Sequence, residues 1–218
     1  MSDTIAVTSE GVRLVTLETF ETLVLSQQPA DKPWEPVTDY TLEARREVEG
    51  QHPQLIKDVF NPTIAVDAGC GRNGNLVRLL RELKIQAIGF DPEVRDSPFA
   101  RFLMPGSLME PCDGPPFADL LICREVLEHL TLVQIRKAVT HLCGYSRQFV
   151  YGTTRFSSEH DLLRVETSDD LDPTHITLMS KDLLKLLFIL EGFKWRGDLA
   201  AQMDWKGYGR TFVFERAV

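Results

Sequence analysis

Residues 64 to 74 constrain this chain more than any other stretch. Ile64-Ala65-Val66 is an apolar run closed by an acid, Asp67, and followed by Ala68-Gly69-Cys70-Gly71-Arg72-Asn73-Gly74. Beyond it, Leu76 to Leu83 is amphipathic. The pattern predicts a strand, a tight turn and the start of a helix. Gly69 and Gly71 allow backbone angles closed to other residues, and they let a ligand lie against the main chain. Gly69, Gly71 and Gly74 also satisfy the G-x-G-x-x-G spacing of nucleotide-binding folds. That spacing alone is a common match. Its position between a strand and a helix gives it weight.

The same alternation continues downstream. After the strand at 63–67, Ile85 to Asp91 reads as a second strand ending in an acid, and 101–104 as a short third. Ala118 to Cys123 is nearly all apolar, as expected of a buried parallel strand. A helix over Leu132 to Cys143 and a fifth strand at 148–151 follow. Ser180 is placed to cap a helix that runs through Leu184, Leu187 and Phe188 to Gly192. Residues 193–198 and 210–215 read as two closing strands. Strand and helix in turn predict an α/β fold with a doubly wound parallel sheet.

Upstream, residues 1–40 read as an arm or cap. Val12 to Leu17 alternates weakly, 22–25 has the composition of a short strand, and Pro29, Pro33 and Pro36 break regular structure. Leu42 to Phe60 reads as one or two helices leading into a domain at 41–218. Phe156 to Asp172 reads as a long acidic loop at the rim of the sheet.

The acid at 67 bears on which ligand the glycine turn holds. A dinucleotide brings a pyrophosphate to the helix N-terminus. Asp67 would oppose that anion and suits a cation, such as the amino group and sulfonium of S-adenosylmethionine. Here the sequence resembles the class I S-adenosylmethionine-dependent methyltransferases, whose first motif reads like Asp67-Ala68-Gly69-Cys70-Gly71. The resemblance covers roughly residues 60–216. It implies a Rossmann-like seven-stranded sheet with the last strand antiparallel. Asp91 follows Gly74 by 17 residues, and its two acceptor oxygens match the two vicinal hydroxyls of a ribose. In the family Asp91-Pro92 fits the ribose-binding acid. Adenine is expected between positions near 92 and 107–108. Where the family often has an acid, this chain has Ser107-Leu108. Asn73, Cys123 and Arg124 complete the expected cofactor side, with small apolar filling the expected role of the Cys70 and Cys123 thiols.

After the fourth strand comes Arg124-Glu125-Val126-Leu127-Glu128-His129-Leu130. Ligands in such sheets bind at the carboxyl ends of the strands. Glu-Val-Leu-Glu-His resembles the fourth motif of many class I methyltransferases. One helical turn would bring Glu125, Glu128 and His129 onto one face, and His175 lies downstream. The small-RNA 3′-terminal 2′-O-methyltransferases use E-x-x-E-H with a later histidine as a metal site, and ubiquinone-pathway O-methyltransferases carry a similar group. The resemblance thus implies a candidate Mg2+ or Mn2+ site at Glu125, Glu128, His129 and His175. Thr153-Thr154-Arg155 resembles a Thr-Thr-Pro of the RNA family, without its proline. Metal-free relatives also carry Leu-Glu-His. On that reading His129 is the first general-base candidate, His175 the second, and Glu128 is structural. His52, His141 and His160 have no comparable context.

Composition narrows the partners. With 32 acidic and 24 basic residues the formal charge is −8, which disfavours a long polyanion. The four cysteines form no C-x-x-C pair, so a structural zinc site is not expected. No apolar run approaches 18 residues and no signal peptide opens the chain. These features give a cytoplasmic expectation with no membrane partner. The reading is a methyltransferase acting on oxygen in a hydroxylated small molecule. The alternatives are an RNA-terminal 2′-O-methyltransferase and a non-catalytic cofactor-binding scaffold.

Overall fold

The structure, a computed structural model, describes residues 42–94, 100–110, 116–157 and 174–217, together with short strands at 4–5, 15–16 and 163–165. Strands β1 (Thr4–Ile5) and β2 (Val15–Thr16) pair antiparallel in the arm. The strand expected at 22–25 lies outside the described residues. Helix α1 runs unbroken over Leu42–Phe60 with Pro53 inside it.

The glycine stretch folds as its pattern requires. Strand β3 is Ile64–Ala68 and helix α2 is Asn75–Glu82, entered from Gly74 in the left-handed conformation. A Cβ at Gly74 would meet Leu103 Cδ2 at 2.4 Å, so this glycine is needed for packing as well as for its backbone angle. Strand β4 (Gln86–Phe90) follows, then β5 (Leu103–Met104), β6 (Ala118–Arg124), helix α3 (Leu132–Tyr145) and β7 (Ser146–Thr153). A capping box starts α3: Thr131 Oγ1 accepts from Gln134 N, and Gln134 Oε1 accepts from Thr131 N.

Two departures from the sequence reading follow. The segment 156–172, expected to be all loop, contributes β8 (Leu163–Val165). It pairs antiparallel with β9 (Thr177–Met179) just before helix α4 (Lys181–Leu190). The strand expected over 193–198 stops early. Strand β10 is Phe193–Trp195, and helix α5 (Gly197–Met203) begins two residues later. A Cβ at Gly197 would meet Trp195 Nε1 at 2.7 Å. The chain therefore turns tightly there, and Arg196 clamps the turn through Asp198 and Glu215. Strand β11 (Thr211–Arg216) closes the chain. Ser180 caps α4 as expected, accepting from Leu183 N at 3.1 Å.

Seven strands form one sheet in the order β10-β11-β7-β6-β3-β4-β5. Strand β11 is antiparallel to both neighbours, and the other pairings are parallel. Alternation along the strands fills two cores. Val66, Leu121, Val150, Phe212 and Phe214 face α3 and α4. Ala65, Leu120, Ile122, Tyr151 and Val213 face α1, α2 and α5. Each fully buried large apolar side chain contributes about 1.5–3 kcal/mol. This double burial is why β3 and β6 carry consecutive apolar residues, Ile64 to Val66 and Leu120 to Cys123. It leaves the carboxyl edge of β3, β4, β6 and β7 as the place where polar residues gather. Among the described residues no helix is long and apolar enough to cross a membrane.

Candidate active site at the carboxyl edge of the sheet

The turn after β3 is built to be approached. Gly69 and Gly71 have φ of 79° and 68°. Gly69 N and Cys70 N both donate to the Phe90 carbonyl, which ties the turn to β4. At Gly69 a Cβ would meet Val126 Cγ2 at 2.4 Å. At Gly71 it would meet nothing within 4 Å. Gly69 is therefore packed from behind, while Gly71 faces open space. Asp91 closes the far side. Its Oδ2 accepts from Gly71 N at 3.0 Å and its Oδ1 from Glu93 N at 2.8 Å. These bonds orient the carboxylate and leave each oxygen a further lone pair. Pro92 and Asn73 are exposed beside it.

Asp67, near the end of β3, is 4% exposed. Burial pushes its carboxyl up to about 6, with the Asp91 charge adding to the rise and the Arg124 guanidinium opposing it. Arg124 ends β6. Its Nη1 lies 3.0 Å from His52 Nδ1, and His52 Nε2 lies 2.6 Å from the Tyr151 hydroxyl. Arginine can only donate, so His52 accepts at Nδ1 and carries its proton at Nε2, which donates to Tyr151. Burial holds His52 neutral, with Arg124 and Lys206 adding to the effect. His52 also stacks on Trp205 at 6.0 Å. Sequence reasoning missed His52 and Tyr151. They lie 99 residues apart and no local signal links them.

Ser107 and Leu108, expected near an adenine, differ in placement. Ser107 Oγ accepts from Met109 N at 3.1 Å within a half-buried turn. Leu108 is buried in the core, and its carbonyl accepts from His141 Nδ1 at 2.6 Å. Cys123 is fully buried, so its thiol packs as core and presents nothing to a ligand at the edge. Burial pushes the Cys70 thiol up, with Asp67 and Asp91 adding to it, so neither thiol is a nucleophile.

On the other side of Arg124, the chain does not make the α-helical turn on which a four-ligand site depended. Glu125 leaves β6 in the left-handed region, with φ of 51°, and residues 127–129 form a 3-10 turn. Glu125 is exposed and lies 3.8 Å from Arg210. Glu128 is 0% exposed. Its Oε2 accepts from Thr154 Oγ1 at 2.9 Å, and its Oε1 has no partner among the described residues. Burial raises the Glu128 carboxyl, reinforced by the charge of Glu125 and by a side-chain hydrogen bond with it. His129 turns toward Thr174, with Nδ1 2.8 Å from its hydroxyl and 3.1 Å from its carbonyl. His175 packs beside it, ring centroids 4.8 Å apart. Among the described residues no three His, Cys, Asp or Glu side chains stand where they could hold a metal ion. Glu125, Glu128, His129 and His175 therefore do not fit the Mg2+ or Mn2+ site expected from their spacing.

No protein-family model matches the chain, and no curated protein matches it in sequence. Solved structures do match. A sugar N-methyltransferase from Streptoalloteichus sp ATCC 53650 superposes with a TM-score of 0.58 at 12% identity, covering 88% of this chain and 99% of that one. The magnesium protoporphyrin IX methyltransferase of Synechocystis PCC 6803, with bound S-adenosylmethionine, gives 0.51 at 13% identity over 84% and 87%. A 4+2 cyclase, SpnF, gives 0.54 at 12% identity over 91% and 92%. The chain has the Rossmann-like fold of the class I S-adenosylmethionine-dependent methyltransferases. That fold also carries a cyclase, so the reaction must be argued from the site.

Proposed function

We propose that this protein is a methyltransferase that moves a methyl group from S-adenosylmethionine to a hydroxyl oxygen of a small molecule. The observation that carries the reading is the open face of Gly71 between two carboxylates, Asp67 and Asp91. The residues present suit the cofactor. Asp91 is oriented to accept from the two ribose hydroxyls. Asp67 and Arg124, adjacent and opposite in charge, complement the ammonium and carboxylate of an amino-acid end. Ser107 and Pro92 would border the base. When bound, S-adenosylmethionine supplies an electrophilic methyl on a sulfonium.

The protein's own contribution is positioning and proton removal. A neutral hydroxyl is a weak nucleophile, and its oxygen must lose a proton as the new C–O bond forms and the methyl–sulfur bond breaks. His129 is the group for that task. The Thr174 carbonyl can only accept, so His129 Nδ1 carries the ring proton and Nε2 holds the lone pair. The acceptor hydroxyl gives its proton to Nε2, and the oxygen attacks in line. No step passes through a metal.

Calorimetric titration with S-adenosylmethionine, with and without EDTA, tests the reading. Binding that survives EDTA and is lost in Asp91→Asn supports it. Absence of binding in every condition would sink it and reopen the scaffold alternative.

A further inference from the structure

The carboxyl edge carries a second group of side chains that have no part in cofactor binding or proton removal. The loop between α5 and β11, residues 204–210, holds Trp205, Lys206, Tyr208 and Arg210. Because β11 runs antiparallel, its first residue Thr211 lies opposite Thr153 at the end of β7. The loop is thereby brought to the same edge as His129. Three bonds brace it. Asp204 accepts from Gly209 N at 2.8 Å through its carboxylate and from Gly207 N at 2.8 Å through its carbonyl, and Thr154 N donates to the Arg210 carbonyl at 3.1 Å.

Its side chains form a layer of rings and cations. Lys206 Nζ stands 5.1 Å from the Trp205 ring and 5.9 Å from the Tyr208 ring, and the Arg210 guanidinium is 5.6 Å from Tyr208. Tyr208 is 66% exposed, so its ring is open to a ligand. From α4, Lys181 Nζ reaches within 3.9 Å of where a Cβ on Gly209 would stand, and 5.3 Å from the Phe156 ring. Three cations, the exposed Tyr208 ring and the half-buried Phe156 ring are therefore gathered at the rim. Among the described residues the one carboxylate paired to them is Glu125, at 3.8 Å from Arg210. In a chain of formal charge −8, this gathers three cations at one rim, with Glu125 and the loop's own Asp204 as the neighbouring carboxylates.

We propose that Lys181, Lys206 and Arg210, with Tyr208 and Phe156, form the acceptor-recognition surface, and that the acceptor is a planar aromatic molecule bearing an acidic group. The rings offer faces for a flat molecule, and the cations draw its charge to one end. The inference rests on the methyltransferase reading and deepens it by naming the acceptor class. A nucleic acid would meet the same three cations but also the repulsion of the acidic surface.

The test is a binding comparison on the full chain loaded with S-adenosylhomocysteine, read by tryptophan fluorescence. Naphthoate and its neutral amide serve as probes. Naphthoate should bind tighter than the amide. Lys206→Gln and Lys181→Gln should each weaken naphthoate about fivefold and leave the amide unchanged. Tyr208→Ala should weaken both. Equal binding of the two probes, no binding of either below about 1 mM, or a preference unchanged in both lysine variants overturns the proposal. Displacement of naphthoate by a single-stranded oligoribonucleotide, where its mononucleotide fails, overturns it in favour of RNA. Calorimetry with S-adenosylhomocysteine on the same variants reads the cofactor site separately. Its failure would strike the methyltransferase reading, while the probe comparison would still report on the surface.

Discussion

Asp67→Asn should make the protein more stable and less able to bind its cofactor. The carboxyl is expected near 3.8 in the unfolded chain and is pushed up to about 6 in the fold, first by burial and then by Asp91, against the pull of Arg124. A raised pKa means that the fold favours the protonated form. The associated stability is fully present below pH 3.8 and is lost as pH rises through about 6. The gap of about two units, at about 1.4 kcal/mol each, corresponds to about 3 kcal/mol lost at pH 8. Asparagine has the same shape and cannot ionise, so the variant should avoid that loss. For a chain of this size the gain should appear as a rise in Tm of about 6–12 °C at pH 8. It should shrink below pH 6 and disappear near pH 4. Urea unfolding of both proteins at pH 8 and pH 4.5 reads the difference directly, because titrating groups that do not interact with Asp67 cancel in the comparison. Calorimetry at pH 8 should show S-adenosylmethionine binding weakened about 10- to 100-fold, the loss expected when a charged hydrogen bond is removed. Equal stability of the two proteins at pH 8 would refute the reasoning. Arg124 would then neutralise Asp67 fully in the free protein, leaving no unmet charge for a cationic ligand.

Other expectations follow from the same geometry. Gly71→Ala should cost only about 1 kcal/mol in stability for its left-handed angle while abolishing cofactor binding, whereas Gly69→Ala, driven into Val126, should lose more in a thermal melt. His129→Ala should lower kcat about 10²- to 10⁴-fold with S-adenosylhomocysteine affinity unchanged by calorimetry. Turnover should be the same with and without EDTA, and a fall restored by Mg2+ would show that Glu125, Glu128, His129 and His175 assemble after all. His52→Phe should keep the ring stacked on Trp205 but release Arg124 and Tyr151. It should lose about 2 kcal/mol in urea unfolding and raise the KM for S-adenosylmethionine.

Much of this protein was determined by its sequence alone, wherever the signal is local. Apolar runs that end in Asp67 and Asp91, glycines at 69, 71 and 74, and Ser180 ahead of α4 each act within a few residues. The strand–turn–helix units, and the ends of β3 and β4 where Asp67 and Asp91 stand, were therefore legible before any coordinates. The E-x-x-E-H spacing misled because spacing implies a shared face only if the backbone is helical there. Glu125 enters the left-handed region as it leaves β6, and among the described residues no three of the expected ligands come together. The pairing of His52 with Tyr151, the grip of Thr174 on His129, and the approach of Lys181 to Phe156 and Gly209 were decided only by the tertiary structure. These groups are brought together by the order of strands, with β7 between β6 and an antiparallel β11. A sequence carries the period of each strand but not which strand lies beside it, since that is settled by how two apolar faces are best buried at once.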